Sequence, residues 1–127
     1  MRIIVCGGRD FTDQAALTRV LDRLRTRRTI DAVIEGNQRG ADRMAGFWAR
    51  KRGILNLKFD AEWDRYGKGA GPIRNQRMID EGKPDGVVAF PGRTGTANMI
   101  DLAHKAGIPV WEPLSQKVRQ PRAPAQP

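Results

Sequence analysis

The chain has 127 residues, enough for one compact domain with a single core and too few for two. Apolar residues make up 39% and charged residues 29%, a globular composition, and 23 Lys and Arg against 14 Asp and Glu leave a net charge of +9. No apolar run is long enough to cross a membrane, and the apolar start of the chain is too short for a secretory signal. The single cysteine, Cys6, excludes an intrachain disulfide and a cysteine-rich metal site, and the single histidine, His104, argues against a histidine-rich zinc site and Ser-His-Asp catalysis. A cytoplasmic protein with no metal or cofactor is the expectation, and the charge calls for an anionic partner: nucleic acid, a membrane surface or a small anion.

Residues 2–6, Arg-Ile-Ile-Val-Cys, form a short, nearly unbroken apolar run, the pattern of a buried parallel strand. It ends in Gly7-Gly8-Arg9-Asp10. Ala16, Leu17, Val20, Leu21 and Leu24 then share one helical face, with Thr12 or Asp13 starting the helix. Ala32-Val33-Ile34 reads as a second strand, closed by Glu35-Gly36. The next helix runs from about Ala41, with Met44, Ala45 and Trp48 inward, and stops near Gly53. Ile54 to Phe59 is a third strand. Residues 60–71 show no periodicity and hold three glycines, so they read as a loop; loops of this length in a small domain tend to be functional. Pro72 suits the first turn of a helix over Ile73 to Glu81. Gly86 to Phe90 is a fourth strand. Pro91-Gly92-Arg93-Thr94-Gly95-Thr96 leads into a helix with Met99, Ile100, Ala103 and Ala106 inward. Ile108-Pro109-Val110-Trp111 is a fifth strand, its proline suited to an edge. Residues 114–127 carry Lys117, Arg119 and Arg122 with no acid, and read as a disordered basic tail beyond a domain of residues 1–113.

Strict alternation of strand and helix predicts an α/β fold with a five-stranded parallel sheet, helices on both faces, and every strand's carboxyl end on one edge. With the strand order 3-2-1-4-5, ligands bind at that edge, where the order reverses between strands 1 and 4. Three glycine-bearing loops meet there: Gly7-Gly8-Arg9-Asp10, Gly36-Asn37-Gln38-Arg39-Gly40-Ala41-Asp42, and Pro91 through Thr96. Glycines let backbone N–H groups approach an anion, and the helix N-termini that follow add donors and the positive end of a dipole. Thr94 and Thr96 add hydroxyls, while Arg9, Arg39, Arg74 and Arg93 supply charge. A phosphate-bearing ligand is therefore expected. Neither the P-loop pattern nor a dinucleotide fingerprint after a strand is present.

The segments Gly7-Gly8-Arg9-Asp10, Gly40-Ala41-Asp42, Glu62-Trp63, Ala70-Gly71-Pro72-Ile73-Arg74-Asn75 and Pro91-Gly92-Arg93-Thr94-Gly95-Thr96 resemble the SLOG superfamily, most closely the YspA branch of its cpYpsA-related group. The likeness spans residues 1 to about 112. It implies a Rossmann-like three-layer α/β/α fold that binds nucleotides or nucleotide-derived ligands. The related LOG enzymes cleave the N-glycosidic bond of nucleoside monophosphates with a P-G-G-x-G-T-x-x-E motif and an upstream arginine. By position Arg74 matches that arginine, and Gly92, Gly95 and Thr96 match the phosphate loop. The motif's second glycine falls on Arg93 and its glutamate on Met99, which can act as neither acid nor base. Asn37 stands where the branch commonly has glycine.

A carboxylate near the ribose would assist glycosidic cleavage, by analogy with O-glycosidases. Asp42 and Glu62 are the substitutes, with Arg74, for a catalytic set, and Asp10 is a third acid nearby. Asp10 and Asp42 also stand where N-caps stand. Asn75 joins the ligand-binding set beside Arg74. Trp63 and Tyr66, in the long loop, either stack on a base or cover the core, and Lys68 reaches a phosphate or stays solvated. Cys6, Trp48 and His104 read as packing residues. Three functions follow: a binding or sensing domain for a nucleotide-derived phosphorylated ligand; a hydrolase of such a ligand's N-glycosidic bond; and a single-stranded nucleic-acid binder acting weakly through its basic surface, with Arg19, Arg23, Arg25, Arg27 and Arg28 around the first helix as its charge. The resemblance also implies a homodimer.

Overall fold

Apolar runs become strands, and their alternation builds a core on each face of the sheet where a single core was expected. In the computed structural model, which describes residues 1–114, the strands are β1 (Arg2–Cys6), β2 (Ala32–Glu35), β3 (Leu55–Lys58), β4 (Gly86–Ala89) and β5 (Val110–Trp111). They pair in parallel in the order β3-β2-β1-β4-β5. Successive side chains of a strand point to opposite faces. Ile3 and Val5 therefore enter one core with Val33, Leu17, Leu21 and Trp48, while Ile4 and Cys6 enter the other with Ile34, Met78 and Met99. Helices α1 (Gln14–Arg27) and α2 (Ala41–Lys51) cover the first face; α4 (Ala70–Asp80) and α5 (Thr94–Lys105) cover the second. The short α3 (Trp63–Tyr66) precedes α4.

The expected helices form with the expected faces. Asp13 caps α1, its carboxylate accepting from the Ala16 N–H at 3.0 Å. Two expectations need correction. Residues 60–71 are not one irregular loop: α3, a 3-10 turn over Gly67–Gly69 and the first residues of α4 occupy much of that stretch, and α4 begins at Ala70, with Pro72 in its first turn. The Glu62 carbonyl accepts from Arg65 and Tyr66 N–H, and Gly67, at a φ of +56°, ends the turn of helix. A single helical turn carries no periodicity for a sequence reading to detect. Ala106 is exposed rather than inward, because α5 has already ended and its N–H closes the last turn onto Leu102 and Ala103.

Leu114, the last of the described residues, packs against the α1/α2 core. The remainder of the expected tail, residues 115–127, lies outside the described residues. No helix among the described residues is long and apolar enough to cross a membrane. The exposed arginines Arg19, Arg23, Arg25, Arg27 and Arg28 run towards the end of α1. The chain after α1 meets the start of β1, where the N-terminal amine donates to the Thr29 carbonyl and pairs with Asp31. That charge therefore sits at the sheet edge opposite the strands' carboxyl ends.

Candidate functional site

The three glycine-bearing loops are stitched together at the carboxyl edge of the sheet. Gly8 donates its N–H to the Pro91 carbonyl at 2.8 Å, and its own carbonyl accepts from Phe11 and from Ala41 at the start of α2. Gly40 permits the last approach. It sits at a φ of +87°, and a side chain there would collide with the backbone of Gly8 and Arg9. A side chain at Gly92 would press on the Gly8 nitrogen at 2.7 Å and on Thr96. The Gly8 N–H, expected to face an anion, is consequently spent on holding the β1 and β4 loops together.

These loops, with α3 and α4, border a cavity of about 850 Å³. Gly7, Gly8, Arg9 and Asp10 line it from one side, and Pro91 through Thr96 line it from the other. The N-terminus of α5 opens onto this space without a side-chain cap, so its first N–H groups have no intrahelical partner. Trp63 and Lys68 stand at the α3 side.

Arg74, Asn75 and Asp42 make up the floor, each less than a tenth exposed. Arg74 donates from Nε to Asn75 Oδ1 at 2.9 Å and from Nη1 to the Gly36 carbonyl at 2.8 Å. Asn75 in turn donates from Nδ2 to the Gly95 carbonyl at 3.2 Å and to Asn98 Oδ1 at 2.9 Å. The network thus runs from the end of β2 to the first turn of α5. Asp42 folds back from α2 to accept from the backbone at the β2 loop, from the Gln38 N–H at 3.4 Å and from Gly36. Burial pushes the Asp42 carboxyl up from 3.8 to about 7, opposed by the nearby Arg74 guanidinium. Burial also pulls the Arg74 guanidinium below its ordinary value, with the Asp42 charge opposing. The floor thus sets a buried guanidinium beside a carboxyl whose charged form burial disfavours.

Several expected site residues lie elsewhere. Arg39 donates to the Arg9 carbonyl and pairs with Asp10 at 2.9 Å, forming an exposed strut between two loops outside the cavity lining. Neither Asp10 nor Asp42 is an N-cap: Asp10 is engaged with Arg39, and the N-cap of α2 is Gly40. Glu62 sits before α3, pairs with Arg65 at 3.8 Å, and does not line the cavity. Tyr66 is likewise outside, with the Arg65 guanidinium 5.0 Å above its ring. Gly36 and Gly40 shape the loop from behind without lining the space. Met99 is buried in the α4/α5 core, and Cys6 is buried, with its thiol pushed up chiefly by burial.

Glu35 was no part of the expected site, yet it is fully buried beside it. Its oxygens accept from the Asn37 N–H at 2.6 Å and from Asn56 Nδ2 at 3.1 Å. Burial raises its pKa, and these hydrogen bonds oppose the rise. Asn37 adopts a φ of +56°, which explains a position where glycine is common; its side chain donates to Asp60 at 2.7 Å. Asn98 was also missed. It lies one turn after Gly95, lines the cavity and accepts from Asn75 Nδ2.

A family model described as YspA, cpYpsA-related SLOG family matches residues 1–66, the half of the chain that carries the β1 and β2 loops and Asp42. The chain belongs to this family. It is also similar to the Gene 61 protein of Mycobacterium phage D29, at 37% identity over 117 residues, spanning 86% of this chain and 93% of the relative. That likeness reaches beyond the half matched by the family model. The SLOG loops and the Arg74–Asn75 network thus stand on one continuous fold.

Proposed function

We propose that the protein binds a nucleotide or nucleotide-derived phosphorylated ligand in this cavity, acting as a binding or sensing domain. The observation that carries the reading is the pairing of two donors in one space: the N-terminus of α5, which has no side-chain cap, and the buried Arg74 guanidinium on the floor. Buried cations are costly unless matched by an anion, and a helix N-terminus favours the same partner. Arg9, Arg93 and Lys68 line the cavity and add to the attraction. Trp63, half exposed at the same wall, offers a flat apolar face to a base.

The test is a thermal-shift panel of nucleoside mono- and diphosphates, ADP-ribose and dinucleotides. At least one is expected to raise the melting temperature in a dose-dependent way, with the shift reduced in Arg74→Gln. Silence across the panel at millimolar concentration overturns the reading.

One observation favours a second reading, hydrolysis of the ligand's N-glycosidic bond. Asp42 is a cavity carboxyl held near neutrality, suited to proton transfer where Met99 is not. Asp10 and Asp13 also line the cavity but are engaged with Arg39 and the α1 N-terminus. Release of free base and ribose 5-phosphate, abolished in Asp42→Asn, is the expected result; binding without turnover sinks this second reading.

A further inference from the structure

The two helical layers of the fold carry very different charge. Helices α4 and α5, with the C-cap Glu81, hold three Lys or Arg and three Asp or Glu. Two of their ion pairs lie one helical turn apart, Arg77 with Glu81 at 2.9 Å and Lys105 with Asp101 at 3.1 Å. Helices α1 and α2, with the C-caps Arg28 and Arg52, hold nine Lys or Arg against two Asp, a net charge of +7. Of those two acids, Asp42 is buried at the cavity floor. Asp22 accepts from the Trp48 indole N–H at 2.9 Å and pairs with Arg52 at 3.0 Å. The five arginines from Arg19 to Arg28 are all exposed, and none forms an ion pair among the described residues.

Spacing turns this charge into a surface. Arg19, Arg23 and Arg27 recur at every fourth residue, so they form one stripe along α1 with about 6 Å between neighbours. Like charges at that spacing repel, and Asp22, the acid of α1, is engaged with α2 instead. The folded helix holds a repulsion that a polyanion laid along the stripe relieves. On α2, Arg43, Phe47 and Lys51 repeat the same spacing and are all exposed. The Phe47 ring is 46% exposed, with the Lys51 ammonium 5.4 Å from its centre. Both helices cover the same face of the sheet and are joined through Asp22, Trp48 and Arg52, so the two stripes share the outer surface of one layer. None of these stripe residues lines the cavity.

We propose that the outer surface of α1 and α2 is a docking face for single-stranded nucleic acid, whose phosphates lie along Arg19, Arg23 and Arg27 while a base stacks on Phe47. The charge complementarity is specific in kind. A row of turn-spaced guanidiniums matches a chain of regularly spaced single charges, and the guanidinium fork grips phosphate oxygens in pairs. An exposed aromatic ring set among cations takes an unpaired base, which a duplex keeps within its own stack. A lipid surface calls for a broad apolar face to insert. Phe47 is alone in that respect on this layer: the other large exposed apolar side chains are on β3, α3, α4 and β5. The docking face stands apart from the cavity and does not rest on what the cavity binds.

The test is fluorescence anisotropy of the full chain with a labelled deoxythymidine oligomer and with its duplex with deoxyadenosine. Co-sedimentation with vesicles of equimolar phosphatidylserine and phosphatidylcholine is the third arm. The single strand is expected to bind, and to weaken about a hundredfold between about 50 and 200 mM salt if each of the five arginines meets a phosphate. The triple variant Arg19→Gln, Arg23→Gln, Arg27→Gln keeps helix propensity and is expected to bind about tenfold more weakly at low salt, with a shallower salt slope. Arg65→Gln, Arg77→Gln, Lys105→Gln removes the same charge from other faces and is expected to change binding less than about twofold. Phe47→Ala is expected to weaken the single strand several-fold and leave the duplex unchanged. Equal weakening by the two triple variants overturns the proposal, since net charge alone would then account for binding. It is also overturned by no binding of the single strand at low salt, by a duplex that binds as tightly as the single strand, or by vesicles that retain the protein at a salt concentration where the single strand does not.

Discussion

Two buried acids stand seven positions apart, and the structure treats them in opposite ways. Glu35 is fully buried at the β2–β3 side, accepting hydrogen bonds from Asn37 and Asn56. Gly46 of α2 leaves room for this cluster: a side chain there would press on Glu35 Oε2 at 2.7 Å and Asn56 Oδ1 at 2.8 Å. Asp42, at the β1–β4 mouth, accepts only from the loop backbone at Gln38 and Gly36 among the described residues and faces a cavity. Burial alone therefore does not separate architecture from function; satisfaction does. A buried carboxylate with its partners in place holds β2, β3 and the β2 loop in register. A buried carboxyl bonded only by loop backbone and facing a cavity keeps lone pairs open to a ligand.

This comparison breaks most severely at Glu35. Glu35→Ala removes the acceptor from Asn56 and from the Asn37 N–H, and is expected to cost about 3 kcal/mol in urea unfolding. A cost well under about 1 kcal/mol would show that the cluster does not hold the edge together. Asp42→Asn is expected to move the other way. The Asp42 pKa is raised from 3.8 to about 7, so its contribution to stability is fully present below about pH 4 and is lost as the pH rises through about 7. Asn mimics the neutral form. Wild type and variant should melt alike near pH 4, and at pH 8 the variant should be the more stable by roughly 2 kcal/mol, from about 1.4 kcal/mol per pKa unit discounted for relaxation. A variant less stable than wild type at pH 8 would place Asp42 with Glu35 as a structural acid.

Gly92→Ala sharpens the boundary between the two regions. The added carbon would press on Gly8 N and Thr96, separating the loops that frame the α5 N-terminus. A loss of about 1–2 kcal/mol is expected, with weaker thermal stabilisation by any phosphorylated ligand. Arg39→Ala is expected to have the smallest effect. Its pair with Asp10 is exposed on both sides, and a change under about 0.5 kcal/mol with ligand stabilisation intact would confirm that the strut stands outside the site. A clear loss of ligand stabilisation in this variant would instead restore Arg39 to the binding set.

Much of the frame was legible because it is written in local pattern. Apolar runs bounded by glycine mark strands, and period-3.6 faces mark α1, α2 and α5. Strict alternation yields a parallel sheet whose carboxyl edge gathers the glycine loops, and Arg74, Asn75, Gly92 and Thr96 do meet there. Asp42 could be singled out as an acid near that edge, but its two open roles could not be separated. Glu35 was invisible, since a single Glu at a strand end looks the same whether it is solvated or sealed. Glu62 was drawn into the site as a candidate carboxylate and Tyr66 as an aromatic of the long loop, although of the α3 turn and its N-cap only Trp63 lines the cavity.

The sequence by itself determined the sheet, its direction and the edge where a ligand would lie, because these follow from chirality and from hydrophobic periods within short windows. Only the tertiary structure decided which polar groups are matched. Asp42 and Arg74 are 32 positions apart and meet over Gly36, while Gly8 gives its N–H to Pro91 and Arg39 turns to Asp10. Hydrogen bonding and desolvation depend on what packs within a few ångströms, and that neighbourhood exists only once the chain has folded.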